Sequence, residues 1–266
     1  MQAEDFGPVG RISFADVFAR SFRLVRREWR ALCLLSVLFV WAPSEVVAVL
    51  SAAAARAGGS PLLFGAGVIG PVGYFAIVLC LGVGTGGSVA ILLDRIDGVR
   101  PSMRRALGRA ARAMLVGAAT VALANAPILF FVVRGMPQSY GAYVLLLVAD
   151  NVAVMIWSIF LGATLPIALD ERWGLLRSIG HAARLSRGQR LRLLPITLCC
   201  QLVFVIGQEA TVILGTAELG DGAIHLEYAW VALSYLPIFA ISAVIYRELW
   251  RASGGVSAAE AAAVFD

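Results

Sequence analysis

Six long, continuously apolar stretches constrain this chain more than any other feature of its sequence. They cover residues 31–55, 71–93, 114–133, 140–169, 193–216 and 228–245. Each approaches or exceeds the roughly 20 residues that an α-helix needs to cross the hydrocarbon core of a bilayer. A membrane β-barrel would instead show segments of roughly ten residues with alternating polarity. The pattern therefore predicts an all-α, polytopic membrane bundle of six transmembrane helices, forming a single integral membrane domain over residues 1–266.

The composition agrees with a membrane protein, because 60% of the residues are hydrophobic and only 15% are charged. Soluble domains carry roughly 25% charged residues. All four cysteines lie inside predicted spans, where apolar burial keeps thiols protonated and unreactive. Residues 1–12 lack the charged segment and short apolar core of a secretory signal, so no cleaved signal peptide is expected.

Arginine supplies all of the basic side chains, since the sequence contains no lysine. This bias is typical of a GC-rich bacterial genome. The arginines are concentrated before the first span, between spans two and three, and between spans four and five. Because positively charged connections stay on the cytoplasmic side, both termini are predicted to be cytoplasmic. The expected location is the bacterial cytoplasmic (inner) membrane.

A short motif recurs along the chain at a fixed spacing. Residues 91–98 and 167–174 each end an apolar run, and Asp94, Asp170 and Tyr246 stand 76 residues apart. A fixed period indicates repeated structural units. We predict three copies of a unit made of one basic amphipathic helix and two spans, at about residues 13–94, 98–170 and 174–250. A capping-box pattern after the last span predicts a short cytoplasmic tail helix over residues 257–265.

The basic segments between spans have the pattern of amphipathic helices. In the first, Phe14, Phe18, Phe22 and Val25 form an apolar stripe, with arginines on the other side. Such a helix next to a span can lie in the headgroup layer and bind anionic lipid, or it can pack on the ends of the bundle. A helix of this kind can do both. The arginines expected to contact anionic headgroups are Arg20, Arg23, Arg27, Arg105, Arg109, Arg184 and Arg187.

No group of residues predicts catalysis, a cofactor, a metal ion or nucleic-acid binding. The glycine-rich segment 82–88 lies within a span and lacks the lysine and preceding strand of a phosphate loop, so it favours close helix packing. The predicted topology places His181 and His225 on opposite sides of the membrane, which excludes a shared zinc site. No serine has the spacing of a nucleophile elbow, and the buried cysteines have no nearby histidine.

Polar residues inside the spans are the strongest candidates for a functional site. A helical rise of about 1.5 Å per residue places them in the outer part of the hydrocarbon layer. They are Glu45, Asn125, Asp150, Asn151, Gln208 and Glu209. Ionisable groups at this depth are costly and usually face a bundle interior or a wet cavity. The alternative is that they lie near the interface, pair with arginine and only orient the helix ends.

Several short motifs resemble those of a known family. They are Ile12-Ser13-Phe14, Ser21-Phe22-Arg23-Leu24-Val25-Arg26-Arg27, a following proline-bearing span and Tyr246-Arg247-Glu248-Leu249. The chain resembles bacterial proteins grouped with the membrane domain of glycerophosphoryl diester phosphodiesterases and the YciC-like inner-membrane proteins. In that family the membrane domain is sometimes fused to a soluble catalytic domain. Six spans leave no residues here for such a domain, so the resemblance implies the membrane fold and not the hydrolase activity.

Taken together, the sequence favours a non-catalytic protein of the cell envelope that organises the membrane or serves as a scaffold, in contact with anionic lipid headgroups. The alternative is a transporter of small solutes or a lipid-handling protein that uses an outward-facing polar cavity. An intramembrane enzyme has the least support, because the sequence contains no recognisable nucleophile, base or metal set.

Overall fold

The computed structural model describes residues 13–56, 71–128, 130, 140–214 and 223–253. Within these ranges the chain is helical, with no strand, which confirms the predicted all-α class. The helices are α1 Phe14–Ser36, α2 Ala42–Arg56, α3 Pro71–Ile96, α4 Met103–Arg112, α5 Met114–Ala124, α6 Tyr140–Leu161, α7 Thr164–Glu171, α8 Leu175–Leu185, α9 Arg190–Leu214 and α10 Ala223–Ala252. A π-helical turn, Val37–Trp41, joins α1 to α2. The predicted tail helix over 257–265 lies outside the described residues.

Among the residues that the structure describes, four helical segments are long and apolar enough to cross a membrane on their own: Phe14–Leu50, Gly73–Ile96, Arg190–Gly207 and His225–Ala252. Two bent pairs raise the number of candidate spans to as many as six. One pair joins α4 to α5 at an angle of 67°, and the other joins Val148–Leu161 to α7 at 42°. By length and composition, the described chain is a multi-pass helical membrane protein.

Helices α3, α7 and α10 pack against one another and form the centre of the molecule. They contribute most of the largest cluster of buried apolar side chains, including Leu92, Ile167 and Phe239. Helices α5, α6 and α9 surround them and expose many large apolar side chains. An apolar exterior around an apolar core is typical of a helix bundle that lies in lipid.

The three basic helices pack onto the ends of the central helices. Helix α1 lies on α10, α4 on α3, and α8 on α7. Small side chains at related positions, Ser21, Ala110 and Ala182, are almost fully buried at these contacts. Because small residues let helix backbones approach closely, they bring the arginines of each basic helix next to the end of a span.

The first basic helix differs from the expected elbow. Helix α1 runs without a break into its span, and Phe14–Leu50 forms one continuous candidate span. By contrast, α4 meets α5 at the 67° bend, and a turn containing Gly188 at φ +87° separates α8 from α9. The segment between Arg23 and Ala31 contains no glycine or proline that would end the helix.

The buried face of α1 is also offset from the expected stripe. Val17, Ser21 and Leu24 are buried, whereas Phe14 is 44% and Phe22 is 70% exposed. Phe18 and Val25 of the stripe are partly buried and pack against the main apolar cluster. The stripe of phenylalanines therefore lies at the edge of the contact and partly faces outward.

The glycine-rich segment of α3 lies at close helix contacts, as the sequence indicated. A Cβ atom on Gly82 would lie 2.6 Å from the backbone nitrogen of Ala118, and one on Gly84 would lie 2.6 Å from the Cβ of Phe39. Real side chains do not fit at such distances. These glycines therefore set the separation of α3 from α5 and from the π-helical turn.

Candidate functional site

Charged side chains gather where the three central helices end. We call this group the charged end; its members are Asp94, Asp97, Arg109, Asp170, Tyr246 and Arg247. Asp94, Asp170 and Tyr246, which stand 76 residues apart in sequence, all belong to it. The recurring motif therefore brings its corresponding residues to one place in the fold.

Asp170 is the residue to which most of the charged end connects. Its Oδ2 accepts hydrogen bonds from the Tyr246 hydroxyl at 2.9 Å and from Arg247 Nη1 at 2.8 Å. Its Oδ1 lies 3.8 Å from Arg109 Nη2. Asp170 is near the end of α7, so this one carboxylate connects α7 to α10 and α4.

Arg109 joins α4 to the ends of α3 and α7. Its Nη1 donates to Asp94 Oδ1 at 2.7 Å, and its Nε and Nη2 both lie 3.3 Å from the carbonyl oxygen of Leu169. That carbonyl is in the last turn of α7, where helical carbonyls lack partners within the helix and favour a positive charge. Arg105, more exposed, lies 3.8 Å from the second oxygen of Asp94.

Arg247 is the most enclosed cation of the group, with a side chain only 7% exposed. Arg247 donates hydrogen bonds to two carboxylates, from Nη1 to Asp170 and from Nη2 to Oδ2 of Asp97. Its guanidinium carbon also lies 5.1 Å from the centre of the Tyr246 ring. Burial raises the pKa of the Asp97 carboxyl, and the charge of Arg247 opposes this rise. Removing the carboxylates would leave Arg247 buried without compensation, which is a costly arrangement.

Two further ion pairs tie α1 to the central helices. Arg20 pairs with Glu248 of α10, and Glu28 pairs with Arg95 at the end of α3. All four side chains are less than a quarter exposed. Since Arg20 and Glu248 come from opposite ends of the described chain, this pair closes the bundle between its first and last helices.

The arginines expected to contact lipid fall into two groups. Arg20 and Arg109 have side chains only 14% and 15% exposed and are bound to carboxylates within the protein. The other five are exposed at the same end of the molecule: Arg23, Arg27, Arg105, Arg184 and Arg187. A contact with lipid therefore depends on these five.

Three of the polar residues expected to line a cavity, Glu45, Asn125 and Asp150, each contact a different partner. Glu45 Oε2 lies 2.5 Å from Nδ1 of His225, and Asn125 donates to the carbonyl of Val121 in its own helix at 2.8 Å. Asp150 is buried, and its Oδ1 accepts a hydrogen bond from the backbone of Ile128 at 3.4 Å.

The remaining members of that set are Asn151, Gln208 and Glu209. Asn151 is half-buried on α6, next to Asp150. Gln208 and Glu209 lie in α9, but their side chains lie outside the described part of the structure. A shared polar cavity stays a prediction.

Comparison with protein-family models, with curated proteins and with solved structures found no match in any of the three. Within the described ranges, no group of three or more His, Cys, Asp or Glu side chains could hold a metal ion.

The charged end is a feature of the fold that was not predicted from the sequence. The fixed spacing of Asp94, Asp170 and Tyr246 was recognised, but only as a sign of where each unit leaves the membrane. One sequence signal could have indicated this contact. The recurring motif has an aspartate at its first two occurrences, Asp94 and Asp170, but Tyr246 followed by Arg247 at the third, and these side chains can bind a carboxylate. Chemically, the cluster is an ion-pair network between carboxylates and guanidinium groups, suited to fixing the ends of helices together.

Proposed function

We propose that the chain is a non-catalytic protein of the bacterial cytoplasmic membrane that organises the bilayer or serves as a scaffold. In this proposal its charged end faces the cytoplasm, and the exposed arginines around that end contact anionic lipid. In this proposal the six spans form three repeated units, and both termini are cytoplasmic. The expected ligands are lipid headgroups, and nucleic acid is not among the partners.

The observation that carries the proposal is the mixture of exposed arginines and exposed apolar side chains at one end of the molecule. On α1, Phe22, Arg26 and Trp29 share one face at i, i+4 and i+7, and Phe22 and Trp29 are 70% and 52% exposed. Leu176 on α8 and Leu191 on α9 are 84% and 85% exposed. In water such exposure forfeits about 1.5–3 kcal/mol per side chain, whereas at a headgroup boundary these groups enter the acyl layer.

The repeat and the resemblance support the same proposal. The basic helices contact their central helices in a recurring way, α1 on α10, α4 on α3 and α8 on α7, and the corresponding motif residues converge at the charged end. This is the arrangement expected of three units closed into a ring. The resemblance to the membrane domain of glycerophosphoryl diester phosphodiesterases and to YciC-like proteins adds the bacterial inner membrane as the location.

The test is a lipid-binding experiment on the purified chain. Native mass spectrometry would count phosphatidylglycerol and phosphatidylcholine molecules retained by the wild type, by the triple variant Arg23→Gln, Arg27→Gln, Arg187→Gln and by the control variant Arg56→Gln. Arg56 ends α2, so the control lies away from the charged end. We expect the triple variant to lose its preference for phosphatidylglycerol and the control to keep it. Equal retention of both lipids by the wild type would refute the proposal.

One observation favours the alternative of a transporter or lipid-handling protein. The carboxylate of Asp150 is buried within a candidate span, and intramembrane carboxylates usually serve a function. Under this alternative, Asp150→Asn would abolish movement of a solute or lipid across proteoliposomes while the phosphatidylglycerol preference stays intact. Under the scaffold proposal, wild-type and Asp150→Asn proteoliposomes behave like protein-free vesicles in the same assay.

A further inference from the structure

A small cavity lies beside the charged end, between the α4–α5 bend and the end of α7. Its volume is about 140 Å³, and it is lined by Arg109, Arg112, Ala113, Ala168, Leu169, Arg172 and Trp173. No acidic residue lines it. We infer that this cavity binds a phosphate group, and that the group belongs to the headgroup of an anionic lipid. This inference rests on the proposed contact with lipid and narrows it to one site.

The charge balance at the cavity favours an anion. Arg109 is neutralised by Asp94 and Asp170. Arg112 and Arg172 are exposed, and in the described part of the chain neither has a carboxylate within 4.0 Å. Two uncompensated guanidinium groups beside one cavity suit a phosphate, since each can present paired N–H donors to its oxygens.

The backbone at Arg172 supports the same assignment. Arg172 follows the last residue of α7 as its C-cap and has the left-handed conformation, with φ +56°. It is the only non-glycine residue among the described ones with a positive φ. Glycine adopts this conformation without steric cost, whereas a side chain with a Cβ atom is strained by it. The chain nevertheless carries an arginine at this position, where the residue lines the cavity.

The neighbouring side chains hold the cavity in shape. Arg112 donates from Nε to the carbonyl of Gly108 at 3.2 Å, which orients its guanidinium and leaves the terminal nitrogens available. Trp173 is held in place by Arg177, whose guanidinium carbon lies 4.1 Å from the ring centre, and by the edge of His181. The volume exceeds the roughly 30 Å³ share of one water molecule several-fold, so a phosphate group fits.

The surroundings of the cavity favour a lipid as the source of the phosphate. Leu115, three residues after Arg112, is 71% exposed, and Leu176, four residues after Arg172, is 84% exposed. Exposed leucines next to arginines place this region at the boundary between headgroups and acyl chains. A phosphate group at that depth would be carried by a lipid more readily than by a free ion.

The test compares soluble forms of the two sources. Isothermal titration calorimetry on delipidated protein in neutral detergent would measure binding of dihexanoyl phosphatidic acid, dihexanoyl phosphatidylcholine and inorganic phosphate. The pocket variant is Arg112→Gln with Arg172→Gln. The matched control is Arg100→Gln with Arg104→Gln, which removes the same charge from exposed arginines of the neighbouring segment that do not line the cavity.

We expect the wild type to bind phosphatidic acid with the highest affinity, the pocket variant to lose at least about tenfold in affinity, and the control to lose much less. Equal losses in the two double variants would overturn the site while leaving the general lipid contact standing. Inorganic phosphate binding as tightly as phosphatidic acid would overturn the lipid as source. If the wild type binds neither phosphatidic acid nor inorganic phosphate, the proposed phosphate site is refuted. The proposed contact with lipid is tested separately, by the preference for phosphatidylglycerol in native mass spectrometry.

A single variant separates loss of binding from loss of folding. Arg172→Gly removes the guanidinium and also relieves the left-handed backbone. We expect it to bind phosphatidic acid more weakly while it unfolds at the same or a higher denaturant concentration than the wild type. Retained affinity in this variant would exclude Arg172 from the site.

Discussion

Replacing the Asp170 carboxylate tests whether the charged end holds the helices together. Asp170→Asn keeps the shape of the side chain and an oxygen that can accept the hydrogen bond from Tyr246. It removes the negative charge 2.8 Å from Arg247, whose side chain is 7% exposed. The variant therefore tests the contribution of charge to the contacts of α7 with α10, through Arg247, and with α4, through Arg109.

The expected loss of stability follows from the surroundings of Arg247. Breaking a buried ion pair by removing one partner costs about 3–5 kcal/mol. Asp97 still compensates Arg247 in the variant, and the Asp170 side chain is 28% exposed, which reduces the loss. We expect Asp170→Asn to lower the free energy of unfolding by about 2–3 kcal/mol.

The assay is equilibrium unfolding by dodecyl sulfate in mixed micelles, followed by tryptophan fluorescence. Asp16→Asn is the matched control, because Asp16 is exposed in the first turn of α1, and its loss should cost less than about 1 kcal/mol. A double-mutant cycle with Arg247→Met should give a coupling energy above about 1 kcal/mol. If Asp170→Asn is no more destabilising than the control, the network does not hold the ends of the helices together.

Further predictions can be checked by the same unfolding assay. Gly82→Ala should lower the free energy of unfolding by about 1–3 kcal/mol or more, because the added Cβ would lie 2.6 Å from the backbone of α5. Gly108→Ala is the control: a Cβ there would meet no atom within 4 Å, so the change should be neutral or stabilising. Gly98→Ala should cost about 1 kcal/mol, because Gly98 has φ +73° and open space around it; no loss there would exclude backbone strain. A double-mutant cycle on Arg20 and Glu248 should give a coupling of about 1 kcal/mol, and zero coupling would show that this pair does not join α1 to α10.

The sequence predicted the helical membrane bundle and the glycine contacts, because both follow from local composition. Apolar runs of sufficient length leave the backbone few alternatives in lipid. Small residues four apart indicate a close helix contact whatever the partner is. The sequence did not predict that α1 continues into its span without a bend. Whether a helix bends at the membrane surface depends on the helices that pack beside it.

The ion pairs of the charged end could not be predicted from the sequence either. Asp170 and Tyr246 are 76 residues apart, and Arg247 and Asp97 are 150 apart, so their contacts exist only after α3, α7 and α10 have packed. The cavity beside Arg172 depends in addition on one left-handed residue, which no sequence pattern marks when that residue is arginine. Local patterns predict elements, whereas these sites depend on how the elements meet.

Two groups of arginines among the described residues have different consequences. Inside the charged end, Arg109 and Arg247 are matched by Asp94, Asp97 and Asp170, so their charges are compensated within the protein. The exposed arginines on the basic helices have the outward charge that an anionic membrane surface attracts. Substitutions in the first group should therefore change stability, and substitutions in the second should change lipid binding with stability unchanged. A substitution of an exposed arginine that unfolds the protein, or of Arg247 that changes only lipid binding, would contradict this separation.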